Sequence, residues 1–376
     1  MDISEIFQKY SPQYLKLYGK KIPDNHRRAI FDILNCRTPV MGGKVYFCEK
    51  CGEHQYSYHS CKNRHCPKCG SQDSEKWLNK QKKKLLPVPY FMVTFTLPAE
   101  LRSICRSNQK IFYSAIFKAS STALRTLLKD PKYAGGEAGF TGVLHTWTRQ
   151  LNYHPHIHYI VPAGAFDFKR NEWNKTNHKY LISVKALSIL FRKNLQRYLQ
   201  TKSPQIYCQI PQNIWREKEF ITNSVPVGTG EKAFTYLSNY VYKTAITNNR
   251  IISCENGKVT FKYKESGTNV TKILTIPAME FMRRFLQHVL PSRFQKVRYY
   301  GFLSSASKAK WEKIADYFDV ETEEIEQKQK SDRIYKERLC PHCHSKMIEY
   351  ASILRRPRSP PNKRFLNLIK KASFTD

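Results

Sequence analysis

Two cysteine pairs, Cys48-Glu-Lys-Cys51 and Cys66-Pro-Lys-Cys69, set the tightest limit on how this chain folds. Fourteen residues separate them. Two CxxC knuckles at that distance bring four thiolates together, which is how a closed tetrahedral zinc site is built. Cys48, Cys51, Cys66 and Cys69 are therefore expected to hold one structural Zn²⁺. Such an ion stabilises a module too small to fold on apolar burial alone. His54, His59, Cys61 and His65 lie between the knuckles and read first as polar loop residues, with Cys61 and His65 as candidate extra ligands. Cys340 and Cys343 form a third, isolated knuckle that needs two more donors, such as His342 or His344 or residues elsewhere in the fold; a pair of free thiols is the other reading. Cysteines at metal spacing point to a reducing compartment and bound metal in place of disulfides.

Charge narrows the partner. The chain carries 64 Lys plus Arg against 30 Asp plus Glu, a formal +34, and such an excess attracts polyanions, nucleic acid above all. No run of about 18 apolar residues is present and Met1 opens no signal peptide, so membrane binding is not expected. The expected setting is the cytoplasm, in association with nucleic acid. Lys62, Arg64 and Lys68 decorate the cysteine segment as candidate DNA contacts.

Pattern and punctuation divide the chain into residues 1–86 (helices and the zinc module), 87–303 (a mixed domain) and 304–376 (a basic extension with the third knuckle and a disordered tail). YFMVTFTL (90–97), FTGVLHTWTRQ (140–150) and HPHIHYIVPAG (154–164) read as strands, the last two joined by a very short turn. Helices are expected over 99–129, 184–200 and 232–242, and after Pro277. The fold class is α+β: a helical, zinc-ribbon module followed by a central antiparallel sheet flanked by helices.

Within the last of these strand-like stretches, His156 and His158 are two residues apart, so their imidazoles project from one face and can share a divalent cation. A two-residue turn at Leu151–Asn152 would set His158 opposite His145. That places His145 on the same face as a candidate third ligand, with Gln150 and His154 as alternatives. Tyr236 and Tyr240 are four apart on an expected helix and share its face, whereas Tyr242 lies off it. A tyrosine hydroxyl, with an ordinary pKa near 10, needs help to act as a nucleophile, and Lys243 and Arg250 are cations placed to give it. With 23 tyrosines, such a pair also arises by chance as packing.

The ordered set of blocks resembles one family. HPHIHYIVPAG is similar to the His–hydrophobic–His (HUH) motif of rolling-circle endonucleases, and YLSNYVYKTAITNNR to their two-tyrosine helix. CRTPVMGGKVYFCEKCG…SCKNRHCPKCG resembles the zinc-binding module of two-tyrosine rolling-circle transposases of bacterial insertion sequences, and EFMRRFLQHVLPSRFQKVRYYGFL their downstream block. The resemblance runs from about Ile22 to Leu303. It implies a nuclease domain whose Mg²⁺ or Mn²⁺ is held by His156 and His158. It implies Tyr236 and Tyr240 as nucleophiles that form 5′-phosphotyrosine links with single-stranded DNA at element ends. The third ligand stays open, since relatives use Glu, Gln or His. No Walker-type phosphate loop is present, so strand separation is expected from elsewhere, such as a host helicase or the replication machinery, or from transient unpairing. A plasmid relaxase or replication initiator would share this chemistry. A non-enzymatic zinc-ribbon regulator would need only the charge and the cysteines, and an RNA-binding protein only the basic and aromatic residues.

Overall fold

The computed structural model describes residues 1–69, 71–229, 232, 235, 244–265, 267–268, 270–320 and 337–355. Helices Ile3–Tyr18 and Asp24–Leu34 open the chain, and strands β1 (Gly43–Phe47) and β2 (His54–Tyr58) flank the first knuckle. Helix Ser71–Lys82 leads to β3 (Pro89–Thr96). The stretch expected as one helix over 99–129 divides at Asn108, whose φ of −126° and ψ of 42° lie outside the helical range, giving Arg102–Ser107 and Gln109–Lys129. Next come β4 (Phe140–Trp147), β5 (Tyr153–Pro162) and a small hairpin of β6 (Gly164–Asp167) and β7 (Glu172–Lys175). Helix Val184–Lys202 starts where the Ser183 hydroxyl accepts the Ala186 amide.

The segment before Gly228, which carries no clear alternation, is a strand, β8 (Thr222–Thr229). Strands β9 (Ile251–Glu255), β10 (Lys258–Lys264) and β11 (Thr271–Pro277) precede helix Ala278–Leu286. Then follow β12 (Val297–Tyr300), helix Lys308–Tyr317 and β13 (Ile348–Ile353). Of the helix expected over 232–242 only Lys232 and Thr235 are described, both helical; its other residues and the tail beyond Arg355 fall outside the described residues.

The chain forms two compact units, and neither is continuous. Residues 1–69, 244–289 and 337–355 belong to one, residues 71–229 and 290–320 to the other. In the first unit, Phe7 meets Phe285 edge-on with centroids 5.1 Å apart, and both are buried. The Asn248 side-chain oxygen accepts the Ile3 amide at 3.2 Å, and the Asn25 side chain donates to the Val289 carbonyl at 3.3 Å. Local pattern could not reveal this, because the apolar faces of the N-terminal helices look the same whichever partner covers them.

The second unit is built on a five-stranded antiparallel sheet in the order β12-β4-β5-β3-β8. Along β5 and its neighbours, alternation separates two faces. Phe91, Val93, Phe95, Leu144, Ile157, Tyr159 and Val161 enter one core with residues of helices Gln109–Lys129 and Val184–Lys202. Phe95 stacks edge-on against Phe191 at 5.1 Å, and the Tyr159 hydroxyl bonds that of Ser120 at 2.7 Å. On the opposite face, Tyr90, Val143 and Ile160 pack with Phe302 and Ile314 in a smaller core. That core covers one end of the face; His145, His156 and His158 occupy the other end.

The discontinuous first unit yields a test. Phe285→Ala should cost about 3–5 kcal/mol, the usual range for emptying a buried Phe site. Hydrogen exchange should then quicken in helix Ile3–Tyr18, at the far end of the sequence. Unchanged protection of that helix would contradict the packing.

Candidate active site and cysteine centres

Three imidazoles converge on one face of the sheet. His145 of β4 pairs with His156 of β5, and His158 lies two residues further along the same face. One ring nitrogen from each lies within 4.8 Å of the others. The ring centroids are 5.3 Å apart for His145–His156, 5.0 Å for His145–His158 and 4.8 Å for His156–His158. His145 is buried and lies nearly parallel to the Trp147 ring; the other two are partly exposed.

Hydrogen bonds orient the rings. His156 Nδ1 lies 2.6 Å from the His154 carbonyl oxygen. A carbonyl only accepts, so Nδ1 carries the proton and Nε2 keeps a free lone pair. His158 Nδ1 lies 2.9 Å from the Thr94 hydroxyl on β3, its cross-strand partner. Burial lowers the His156 pKa to about 3 and the His158 pKa to about 4, each assisted by nearby histidines. Both rings are therefore neutral at ordinary pH, the form in which imidazole binds a metal. An all-nitrogen set suits softer divalent ions better than Mg²⁺, which prefers oxygen ligands and keeps several waters.

The hairpin differs from expectation. His145 stands opposite His156, not His158, and the ladder shifts between His145 and Trp147. The connection runs over 148–152, held by backbone bonds: the Thr148 amide to the Asn152 carbonyl, and the Leu151 amide to the Thr148 carbonyl. Leu151 adopts a φ of +64° to close it. Because side chains alternate with period two, this two-residue slip leaves all three histidines on one face. Gln150 lies in the loop, and His154, at the start of β5, is not among the converging imidazoles.

The cysteines are partitioned differently from the expectation. Cys66 and Cys69 gather with Cys36 and Cys61, whereas Cys48 and Cys51 gather with Cys340 and Cys343. The four knuckle thiols expected in one site thus fall in two. Sulfur separations in the first group include 3.5 Å for Cys36–Cys69 and 3.6 Å for Cys61–Cys69. A tetrahedron with metal–sulfur bonds of about 2.3 Å has edges of roughly 3.8 Å, so the spacing fits a tetrathiolate ion. Neighbouring thiols push the Cys36 pKa down to about 7, the Cys61 side chain being the foremost contributor, and hold Cys69 well below the usual thiol range. His65 and His59 belong to neither group. Cys36, just past helix Asp24–Leu34, was missed because it stands alone; its only sequence signal is its nearness to the cysteine segment.

Other expected residues are placed as follows. Lys62 and Arg64 are exposed, and Lys62 has a φ of +53° in the loop between ligand-type cysteines. Lys68 pairs with Asp2 at 3.0 Å. Arg250 donates to the Lys262 carbonyl at 2.9 Å and stacks over Phe261, which gives it a structural attachment. Tyr236, Tyr240, Tyr242 and Lys243 lie outside the described residues.

Residues 6–97 match the family model described as "Transposase zinc-binding domain", and residues 139–310 match one described as "Putative transposase". The chain is therefore a transposase with an N-terminal zinc-binding domain. It is 32% identical to "Putative transposase y4qJ" of Sinorhizobium fredii, over 96% of this chain and 97% of that protein. It is 28% identical to "Transposase for insertion sequence element IS801" of Pseudomonas savastanoi, over 74% of this chain and 70% of that one. The chain belongs to the IS91 family of rolling-circle transposases of insertion sequences. No solved structure matches it.

Thr94→Val keeps the shape of the side chain but removes the oxygen facing His158 Nδ1. Loss of such a supporting bond typically weakens metal binding about 10–100-fold. Titration with Mn²⁺ should show that loss with unchanged circular dichroism; unaltered affinity would detach Thr94 from the site.

Proposed function

We propose that this transposase nicks and rejoins single-stranded DNA at the ends of its element through a 5′-phosphotyrosine link. The carrying observation is the convergence of His145, His156 and His158 on one face of the sheet. These three residues would hold Mn²⁺ or Mg²⁺, which when bound polarises a phosphate oxygen and neutralises developing charge. Tyr236 and Tyr240 would be the nucleophiles. In the cut, a tyrosine oxygen bonds to phosphorus as the bond to the 3′ oxygen breaks; the tyrosine proton leaves and the departing oxygen ends as a 3′-OH. Rejoining reverses the roles: a 3′-OH attacks the phosphotyrosine and the tyrosine hydroxyl is restored.

Two tyrosines let one DNA end stay attached while a second is cut. Lys243 would favour the phenolate by its charge. The neutral, oriented imidazoles supply lone pairs without adding positive charge of their own. The net charge of +34 supports a polyanionic substrate held by distributed phosphate contacts, Lys62, Arg64 and Lys68 among them. Strand opening would fall to a host helicase or to replication.

Incubation with labelled single-stranded terminal DNA and Mn²⁺ tests the scheme. His156→Ala and His158→Ala should abolish cleavage while largely preserving DNA binding. Tyr236→Phe or Tyr240→Phe alone should leave some covalent adduct on denaturing gels, and the double variant none. An adduct formed by the double variant would place the nucleophile elsewhere. Full cleavage by His158→Ala would remove the metal role.

A further inference from the structure

The C-terminal Cys340-Pro-His-Cys343 knuckle is not isolated. Its sulfurs meet those of Cys48 and Cys51, from the far end of the sequence: Cys48–Cys343 is 3.4 Å, Cys51–Cys340 3.5 Å and Cys51–Cys343 3.5 Å. All four ligand atoms lie within 4.8 Å of one another, and all four cysteines are free thiols. These separations far exceed the ~2.05 Å of a disulfide and approach the ~3.8 Å edge of a tetrathiolate zinc tetrahedron.

The two knuckles have the same backbone construction. The Gly52 amide donates to the Cys48 carbonyl at 2.8 Å, and the His344 amide to the Cys340 carbonyl at 3.0 Å. The Cys48 amide donates to the Glu53 carbonyl at 2.9 Å, and the Cys340 amide to the Ser345 carbonyl at 2.8 Å. The residue after each second cysteine is left-handed: Gly52 at φ +77° and His344 at φ +55°. A histidine accepts that conformation at some cost, which the matching hydrogen bonds and a bound ion would offset.

Each knuckle also ends a paired segment. Strands β1 and β2 flank the first, and an antiparallel bridge between Leu339 and Lys346 closes the second. Just beyond, β13 adds to the other edge of β1, with Gly43 opposite Ile353 and Phe47 opposite Ile348. A three-stranded sheet this small, whose β13 is almost wholly exposed, has little apolar burial to hold it.

We propose that Cys48, Cys51, Cys340 and Cys343 form a second structural Zn²⁺ site, which clamps the C-terminal segment onto the N-terminal sheet. The zinc ribbon of this protein is then made of two hairpins from opposite ends of the chain. Neither residues 6–97 nor the C-terminal segment would hold that ion alone. The site is independent of the histidine and tyrosine chemistry, so a failure of either reading leaves the other standing.

Full-length protein purified without chelator should carry two zinc ions per chain. Alkylation followed by mass mapping reads the site directly, because Cys51 and Cys208 are both exposed thiols in sequence-distant positions. Cys208, outside both groups, should react at once. Cys51 should resist until a strong chelator is added, and then react together with Cys343. The double variant Cys340→Ser, Cys343→Ser should hold one zinc and label Cys51 as fast as Cys208, with Cys36, Cys61, Cys66 and Cys69 still protected. One zinc in the native chain, two in the double variant, or immediate labelling of Cys51 in the native chain would each overturn the proposal. If the double variant fails to fold, the native zinc count and labelling decide alone.

Discussion

The alternation of side chains along β5 is the constraint on which the second unit depends. One strand serves two purposes because successive residues face opposite ways: Ile157, Tyr159 and Val161 anchor it in the helix-covered core, and His156 and His158 project from the other side. Burying each large apolar side chain contributes about 1.5–3 kcal/mol, so the strand is held from behind by groups that take no part in the chemistry. Central position in the sheet adds support on both flanks, from β4, which carries His145, and from β3, which carries Thr94. The rigidity that a polar, partly desolvated cluster needs is thus provided by the apolar half of the same strands.

The first unit rests on a different kind of force. Its sheets are short and its chain arrives in three separated pieces. Apolar packing joins two of the pieces, through Phe7 and Phe285 among others. At the cysteine-rich sheet there is little such packing, and thiol clusters take over. A metal ion bound by four thiolates contributes folding free energy directly, and it does so between residues of any sequence separation. The loop-closure penalty grows only logarithmically with length, so uniting positions 48 and 340 costs about 2–3 kcal/mol more than closing a loop of about 15 residues, an amount that binding of a structural zinc ion exceeds.

Much of the second unit is legible in the sequence. Strands β3, β4 and β5 follow from their β-branched and aromatic alternation, and the same-face relation of His145, His156 and His158 from the period of two. That relation holds although the turn is longer than expected, because a slip by an even number of residues preserves the face. Weaker strands such as β8, β12 and β13 carry no such alternation and are held by their partners. The division at Asn108 likewise depends on a local backbone angle that apolar periodicity does not encode.

The sequence by itself determined the class of the protein, its polyanionic partner, and the residue types that could bind metal. Charge, residue chemistry and fixed short spacings are properties of the chain whether or not it is folded. Tertiary structure alone decided which thiols meet: Cys36 with Cys61, Cys66 and Cys69, and Cys48 and Cys51 with the C-terminal pair. Cysteine ligands are interchangeable in chemistry, and a CxxC knuckle supplies only half of a tetrahedron. Which half completes it depends on where distant hairpins dock, and that is set by packing and strand pairing across the whole chain.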